Sequence, residues 1–312
     1  MLSANFSYSL DASQAVALTR FTYTQYHMGI DARMVVYAPD QATAERACTA
    51  AFARIAQLEA IMSDYRKDSE LMKLCDRAGG PPVGVSKDLF KVLERAREVS
   101  RLSHGAFDVT VGPLIALWRK ARKSGVMPPK ADLTTARKLV GWQKLRMDPP
   151  TRMVRLTTKG MKLDLGGIAK GYACDEAQAV LRANGISRAL VEMGGDIVVT
   201  GPPPGTPGWT IRVPNAADDH GPADLVFANR AISTSGDTEQ FVVIAGVQYS
   251  HVVDPRTGMA LTSRVQATVT APTGLTSDPL STTLTVLSRR DHARLLKAFA
   301  GTNWYLRVLE RR

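Results

Sequence analysis

The stretch "RALVEMGGDIVVTG", Arg188 to Gly201, decides how this chain is read. Two strand-like runs follow one another across a turn-like "GGDI" (Gly194 to Ile197), with no helix between them. Further out, "MVRLT", "MKLDL", "WTIRV", "QFVVIAG", "YSHVVD" and "QATVTA" are short runs of the same kind, bounded by Gly, Pro, Asn or Asp. Downstream of Leu145 the helical exceptions are "GIAKGYACDEAQAVLRANG", a segment from Thr276 to Leu287, and a last one from Asp291 to Ala300. Strands outnumber helices there and strict strand-helix alternation is absent. The expectation is an α+β fold with a mostly antiparallel sheet and packed helices.

The N-terminal half carries the better helices. "FTYTQYHMGIDARMVVYAP" reads as two strands joined near Gly29. Asp40 then caps a helix whose Ala44, Ala47, Cys48, Ala51, Ile55, Leu58 and Met62 share one face. A second helix starts at Ser86, places Leu89, Val92, Leu93, Ala96, Val99 and Leu102 at the same spacing, and stops at Gly105. "GPLIALWRKARKSG" and "DLTTARKLVG" are shorter helical segments.

Forty Lys and Arg against 29 Asp and Glu leave the 312-residue chain at +11, compatible with anionic partners but read first as scattered solubilising surface charge. No basic block is interleaved with aromatic residues, so no nucleic-acid partner is expected. Cys48, Cys75 and Cys174 are too few, and odd in number, for a disulfide framework. No apolar stretch reaches membrane-spanning length. The first residues lack a basic region followed by an apolar run, so as written the chain carries no leader; a cytoplasmic location fits, unless a leader has been removed.

Three segments could carry chemistry. In "LDLGGIAKGYACDEA" a strand ending at Asp164 passes through Gly166-Gly167 into a helix, where exposed N–H groups suit a phosphate. Lys170 stands in the first turns of that helix, against its dipole, which is easier to explain with an anion beside it. A plain tight turn with an exposed lysine is the structural alternative. In "TSDPLSTTLTVL", Pro279 fits the first helical position and Asp278 the N-cap, a sufficient bland account of that carboxylate. Ser281 and Thr282 then fall one turn on, on the same side. One carboxylate with hydroxyls is a poor calcium cage and lacks the nitrogen and sulfur that zinc favours; it suits Mg²⁺, which keeps waters and takes substrate phosphates. In "YSHVVDPRTG", His251 precedes a rigid turn with Asp254 three residues on, a setting for a general base or for a histidine hydrogen-bonded within its turn.

Taken in order, "HMGIDARM", "SDYRKDSEL", "GAFDVTVGPL", "LDLGGIAKGYACD", "MGGDI", "STSGD", "SHVVDPRTG" and "SDPLSTT" resemble the FAD:protein FMN transferases, the ApbE family. The resemblance implies a T-fold-like α/β body, with residues 1–19 an N-terminal extension and 20–312 the flavin transferase domain. It implies FAD contacts at Met28, Tyr65, Ala106, Phe107, Asp108, Asp164, Lys170 and Val252. Mg²⁺ would be held by the Gly167 carbonyl and the Asp278 and Thr282 side chains, with Ser281 close by. Lys170 and His251 would be the catalytic pair: a cation for the phosphoryl oxygens and a base for the acceptor hydroxyl. The implied reaction cleaves FAD, joins FMN to a Thr or Ser of an acceptor protein, which could be a subunit of a redox-driven membrane complex, and releases AMP. Water in place of the acceptor would make the protein a FAD pyrophosphatase, and lapsed catalysis would leave a FAD-binding protein. The family commonly works in the periplasm or cell envelope, so membrane association would come only through a missing leader or the acceptor. Ile30, Thr238, Ala260 and Pro279 depart from residues common at those places.

Overall fold

The computed structural model describes residues 17–213, 223–236 and 240–308; most of the expected N-terminal extension, and Thr238, lie outside them. Helices are α1 (Gln41–Met62), α2 (Glu70–Asp76), α3 (Lys87–Leu102), α4 (Gly112–Ser124), α5 (Lys130–Arg137), α6 (Ala169–Ala183), α7 (Gly274–Val286) and α8 (Arg289–Leu296). Strands β1 (Thr19–His27), β2 (Ile30–Ala38), β3 (Val83–Gly84), β4 (Leu145–Asp148) and β5 (Met153–Leu156) precede α6. After it come β6 (Ala189–Met193), β7 (Asp196–Val199), β8 (Trp209–Val213), β9 (Ala223–Phe227), β10 (Arg230–Ser235), β11 (Phe241–Ile244), β12 (Val247–Ser250), β13 (Val265–Ala271) and β14 (Asn303–Val308).

The main sheet has the order β1-β2-β6-β7-β10-β13-β14, and every neighbouring pair is antiparallel. Its first hairpin turns at Met28 and Gly29, with φ of +52° and +81°, the left-handed pair that a two-residue turn between twisted strands demands. Alternation along β2 divides the core. Met34 and Val36 face the helices, while Val35 joins Leu190, Val199 and Ile232 under the β8–β9 hairpin with Trp209, Ile211 and Val213.

The α1 and α3 stripes fall where their periodicity puts them, and Asp40 and Ser86 cap them by accepting from the Thr43 and Leu89 amides. Two expectations are corrected. Met161 to Leu165 is no strand: it runs extended beside α4's start and makes one parallel bridge, Val111 to Lys162. The helix expected from Thr276 starts at Gly274, so Asp278 lies inside it and is not its N-cap, and Pro279 is an interior residue. The cap comes from elsewhere. Asp175 of α6 accepts from the Gly274 and Leu275 amides at 2.7 and 2.8 Å, satisfying two of the N–H groups that a helix start leaves unpaired.

A smaller cluster joins α4 and α5 to the segment after β12. Leu114, Trp118 and Ala121 pack on Val253 and Ala260, and the Trp118 indole donates to the Gly258 carbonyl at 3.0 Å. Among the described residues no helix is long and apolar enough to cross a membrane.

Candidate active site

The site forms where α6 crosses α7. A Cβ on Gly171 would lie 2.3 Å from the Gly274 carbonyl oxygen and 2.7 Å from the Asp278 Cβ, and one on Gly274 would lie 2.2 Å from the Gly171 oxygen. The two backbones touch, and only glycines allow it. At that contact the Gly171 amide donates to Asp278 Oδ2 at 3.0 Å.

Lys170, one residue earlier, points to the end of the main sheet where β6 turns into β7. Its ammonium lies 3.0 Å from Asp196 Oδ2 and donates to the Gly166 carbonyl at 3.1 Å. The anion that the sequence asked for beside this lysine is therefore a carboxylate of the chain itself. Burial alone would lower the Lys170 ammonium; the Asp196 and Asp278 charges and the Asp196 hydrogen bond overcome it and hold the group above its ordinary value. Burial, with the charge of Asp196 behind it, pushes the Asp278 carboxyl up to about 7, against the pull of Lys170 and the Gly171 amide. Two buried carboxylates share one ammonium, and the pocket retains an appetite for positive charge.

The expected phosphate turn is largely spent on itself. Gly166 N–H goes to Asp164 Oδ1 at 2.8 Å, and the Ile168 and Ala169 amides go to the Leu165 carbonyl. Gly167 sits between Phe107 and Thr282: a Cβ there would be 3.0 Å from Thr282 Oγ1 and 3.4 Å from Phe107 Cε2. Below Thr282, the Ser235 hydroxyl of β10 lies 2.8 Å from Ser281 Oγ and 3.1 Å from Thr282 Oγ1, while Ser281 donates to the Asp278 carbonyl. Asp278, Ser281 and Thr282 thus lie on one turn of α7, with Gly167 against Thr282. Among the described residues no three His, Cys, Asp or Glu side chains are placed to hold a metal ion. A cation here would draw on one carboxylate, a hydroxyl, a carbonyl and water, the donor set that suits Mg²⁺.

Asp164 and Tyr65 are brought together by a residue that sequence reasoning missed. Arg119 of α4 donates through Nη1 to Asp64 and through Nη2 to Asp164 Oδ2 at 2.9 Å, with its guanidinium carbon 4.4 Å from the Tyr65 ring centre. Burial, followed by the Asp64 charge, raises the Asp164 carboxyl, with Arg119 opposing. Ala106, Phe107 and Asp108 follow α3, where His104 and Gly105 turn the chain left-handed, and the buried Asp108 carboxylate accepts from the Thr110 amide and hydroxyl. Met28 lies at the tip of β1–β2, where Ile30 reaches the Gly194 turn that precedes Asp196.

His251 stands between β12 and the Asp-Pro-Arg-Thr-Gly turn, with Nδ1 3.2 Å from the Gln240 carbonyl oxygen. A carbonyl only accepts, so in this contact Nδ1 is the donor. The carboxylate three residues on is taken: Asp254 Oδ1 accepts from the Arg256 amide and Nε, and Oδ2 from Nη2 at 2.8 Å. Val252 is buried beside it, its amide donating to Ser250 Oγ. Arg122, one turn along α4 from Arg119, donates to the Gln240 side chain, so α4 joins the His251 segment to the Tyr65 side of the site.

The family model described as the ApbE family matches residues 28–306. A Klebsiella pneumoniae protein named FAD:protein FMN transferase is 30% identical over 266 residues, 85% of this chain and 81% of that protein. A Vibrio cholerae protein of the same name is 33% identical, over 72% of this chain and 69% of its own length. The solved flavin transferase ApbE from Vibrio cholerae superposes with a TM-score of 0.82 at 29% identity, covering 92% of this chain and 93% of that one. The Pseudomonas stutzeri flavinyl transferase ApbE, in its apo form, gives 0.83 at 26%, covering 94% and 92%. With a family match over most of its length and relatives of the same fold, the chain belongs to the ApbE family.

Proposed function

We propose that the protein is a Mg²⁺-dependent FAD:protein FMN transferase, the name its Klebsiella and Vibrio relatives carry. The observation that carries this reading is the buried Asp278 carboxylate, one helical turn before Thr282, whose hydroxyl faces Gly167, and within reach of the Lys170 charge. Asp278, the Thr282 hydroxyl and the Gly167 carbonyl would hold the ion. Bound there, Mg²⁺ would neutralise charge on the FAD pyrophosphate.

The residues of the chain do the rest. Asp196 and the Gly166 carbonyl hold the Lys170 ammonium where phosphoryl oxygens gain charge. His251 Nε2 takes the proton of an acceptor Ser or Thr hydroxyl, whose oxygen attacks the FMN phosphorus. The bond between that phosphorus and the bridging oxygen breaks, and AMP departs with the bridging oxygen. The acceptor is a protein presenting a hydroxyl at the cell envelope, where the family commonly works.

The test is to incubate the protein with FAD, Mg²⁺ and a threonine-containing acceptor peptide, following AMP release and peptide mass together. AMP with a peptide gaining FMN supports transfer; AMP with free FMN alone makes the protein a pyrophosphatase, and intact FAD leaves a binding protein. Asp278→Ala should lower turnover about a hundredfold or more. Full turnover in this variant at limiting Mg²⁺ would remove Asp278 from the metal site.

A further inference from the structure

Tyr65 exposes 76% of its surface and belongs to none of the three apolar clusters, so the fold does not need its ring. Yet the ring is held. The Arg119 guanidinium lies against it at 4.4 Å, and the backbone that carries it is fixed by the Tyr65 amide donating to Ser63 Oγ at 3.2 Å. Arg119 is itself tied at both ends, to Asp64 and to Asp164, and the other Asp164 oxygen takes the Gly166 amide. An exposed aromatic ring with one face against a fixed guanidinium is a stacking surface prepared in advance, with little side-chain freedom left to lose on binding.

We infer that Arg119 is a positioning residue: it orients Tyr65 to stack on a planar ring of the bound dinucleotide and, through Asp164, ties that platform to the Gly166-Gly167 turn. The inference rests on the FAD reading. It assigns Arg119 a requirement for shape as well as charge, since a lysine supplies the cation without the flat face or the two-ended fork.

Arg119→Lys keeps a cation between Asp64 and Asp164 and is the variant that isolates the planar contact. FAD binding should be followed by quenching of flavin fluorescence, with riboflavin and ADP as separate ligands and thermal melting as the check on folding. Arg119→Lys should weaken FAD about fivefold, within the range of a partly desolvated cation–aromatic contact. The loss should reappear with riboflavin if the flavin ring occupies the platform, or with ADP if adenine does. In a Tyr65→Ala background the same change should cost nothing further, the non-additivity expected of residues acting as a unit. An unaltered Kd in the folded Arg119→Lys variant, or equal losses with and without Tyr65, would overturn the role of Arg119. Failure of the unsubstituted protein to bind FAD at all would overturn the FAD reading and this inference together.

Discussion

Helices α3 and α7 both pack into the core, and they do it in opposite ways. Of the 16 residues of α3, seven are buried and form one stripe, six of them apolar, with charged residues on the other side. Of the 13 residues of α7, 11 are buried, and Ser277, Asp278, Ser281 and Thr283 are among them. The first helix is held by side-chain burial against a solvated face. The second is buried nearly all round and keeps its polar groups by pairing each: Ser277 with Ser233 at 2.7 Å, Ser281 with Ser235, Thr283 with the Pro279 carbonyl at 2.6 Å. A site that must offer oxygens inside the protein needs a helix of the second kind, because buried polar groups are tolerable only when partnered.

Gly274→Ala is the sharpest way to break that arrangement. Intrinsic propensity favours alanine over glycine in a helix by about 1 kcal/mol. The added Cβ would nevertheless meet backbone, the Gly171 oxygen at 2.2 Å, and backbone cannot swing aside as a side-chain tip can. The helices must separate, so a destabilisation of about 3 kcal/mol is expected, read as a fall in the denaturation midpoint, with FAD binding weakened as Asp278 leaves the Gly171 amide. A neutral or stabilising alanine would show that the crossing is looser than its geometry.

How far each helix was legible follows from the same contrast. The α3 stripe and its Ser86 cap lie within one segment, so spacing alone exposed them. Asp278 with Ser281 and Thr282 was also visible, because one turn of helix stacks them. Asp-Pro is a helix-start signature and points to a cap at Asp278, whereas the true cap, Asp175, lies 99 residues upstream of Gly274. Lys170 was seen against its dipole without its partner, since Asp196 reaches it only when β6–β7 folds over α6. Arg119 had no signal at all in a segment that reads as a basic amphipathic helix; its partners are 55 and 45 residues away. Local periodicity is readable in one sequence, whereas pairings between distant segments are not.

The remote cap offers a second, smaller test. Burial pushes the Asp175 carboxyl up to about 6, with the Leu275 and Gly274 amides pulling the other way. A carboxyl raised on folding adds stability that is complete below its unfolded value near 4 and is lost as pH rises through about 6. Relative to Asp175→Asn, which cannot titrate, the unsubstituted protein should therefore gain about 1 kcal/mol between pH 8 and pH 5. Melting both proteins across that range reads chiefly this group, because titrations beyond its reach are common to the two; Asp278, which the Asp175 charge helps to raise, shifts with it. A difference in Tm that does not vary with pH would mean that Asp175 keeps its charge throughout.

Ser86→Ala makes the gentlest change, and it tests whether α3 is as self-contained as its stripe implies. The Ser86 hydroxyl accepts from the Leu89 amide at 3.2 Å, and the Ser86 amide donates to the Glu70 carboxylate at 2.6 Å. Alanine removes the first bond and keeps the second, so a loss of about 1 kcal/mol is expected, with Ser86→Asp restoring most of it. The change lies about 24 Å from the C-terminal end of α3, at 1.5 Å per residue, and the Ala106–Asp108 segment follows that end. FAD affinity should hold while the denaturation midpoint falls. A parallel loss of affinity would mean that α3 transmits disorder from its N-terminus to the residues that follow its C-terminus, and that the division between a helix built for the core and one built for the site is less complete than their burial suggests.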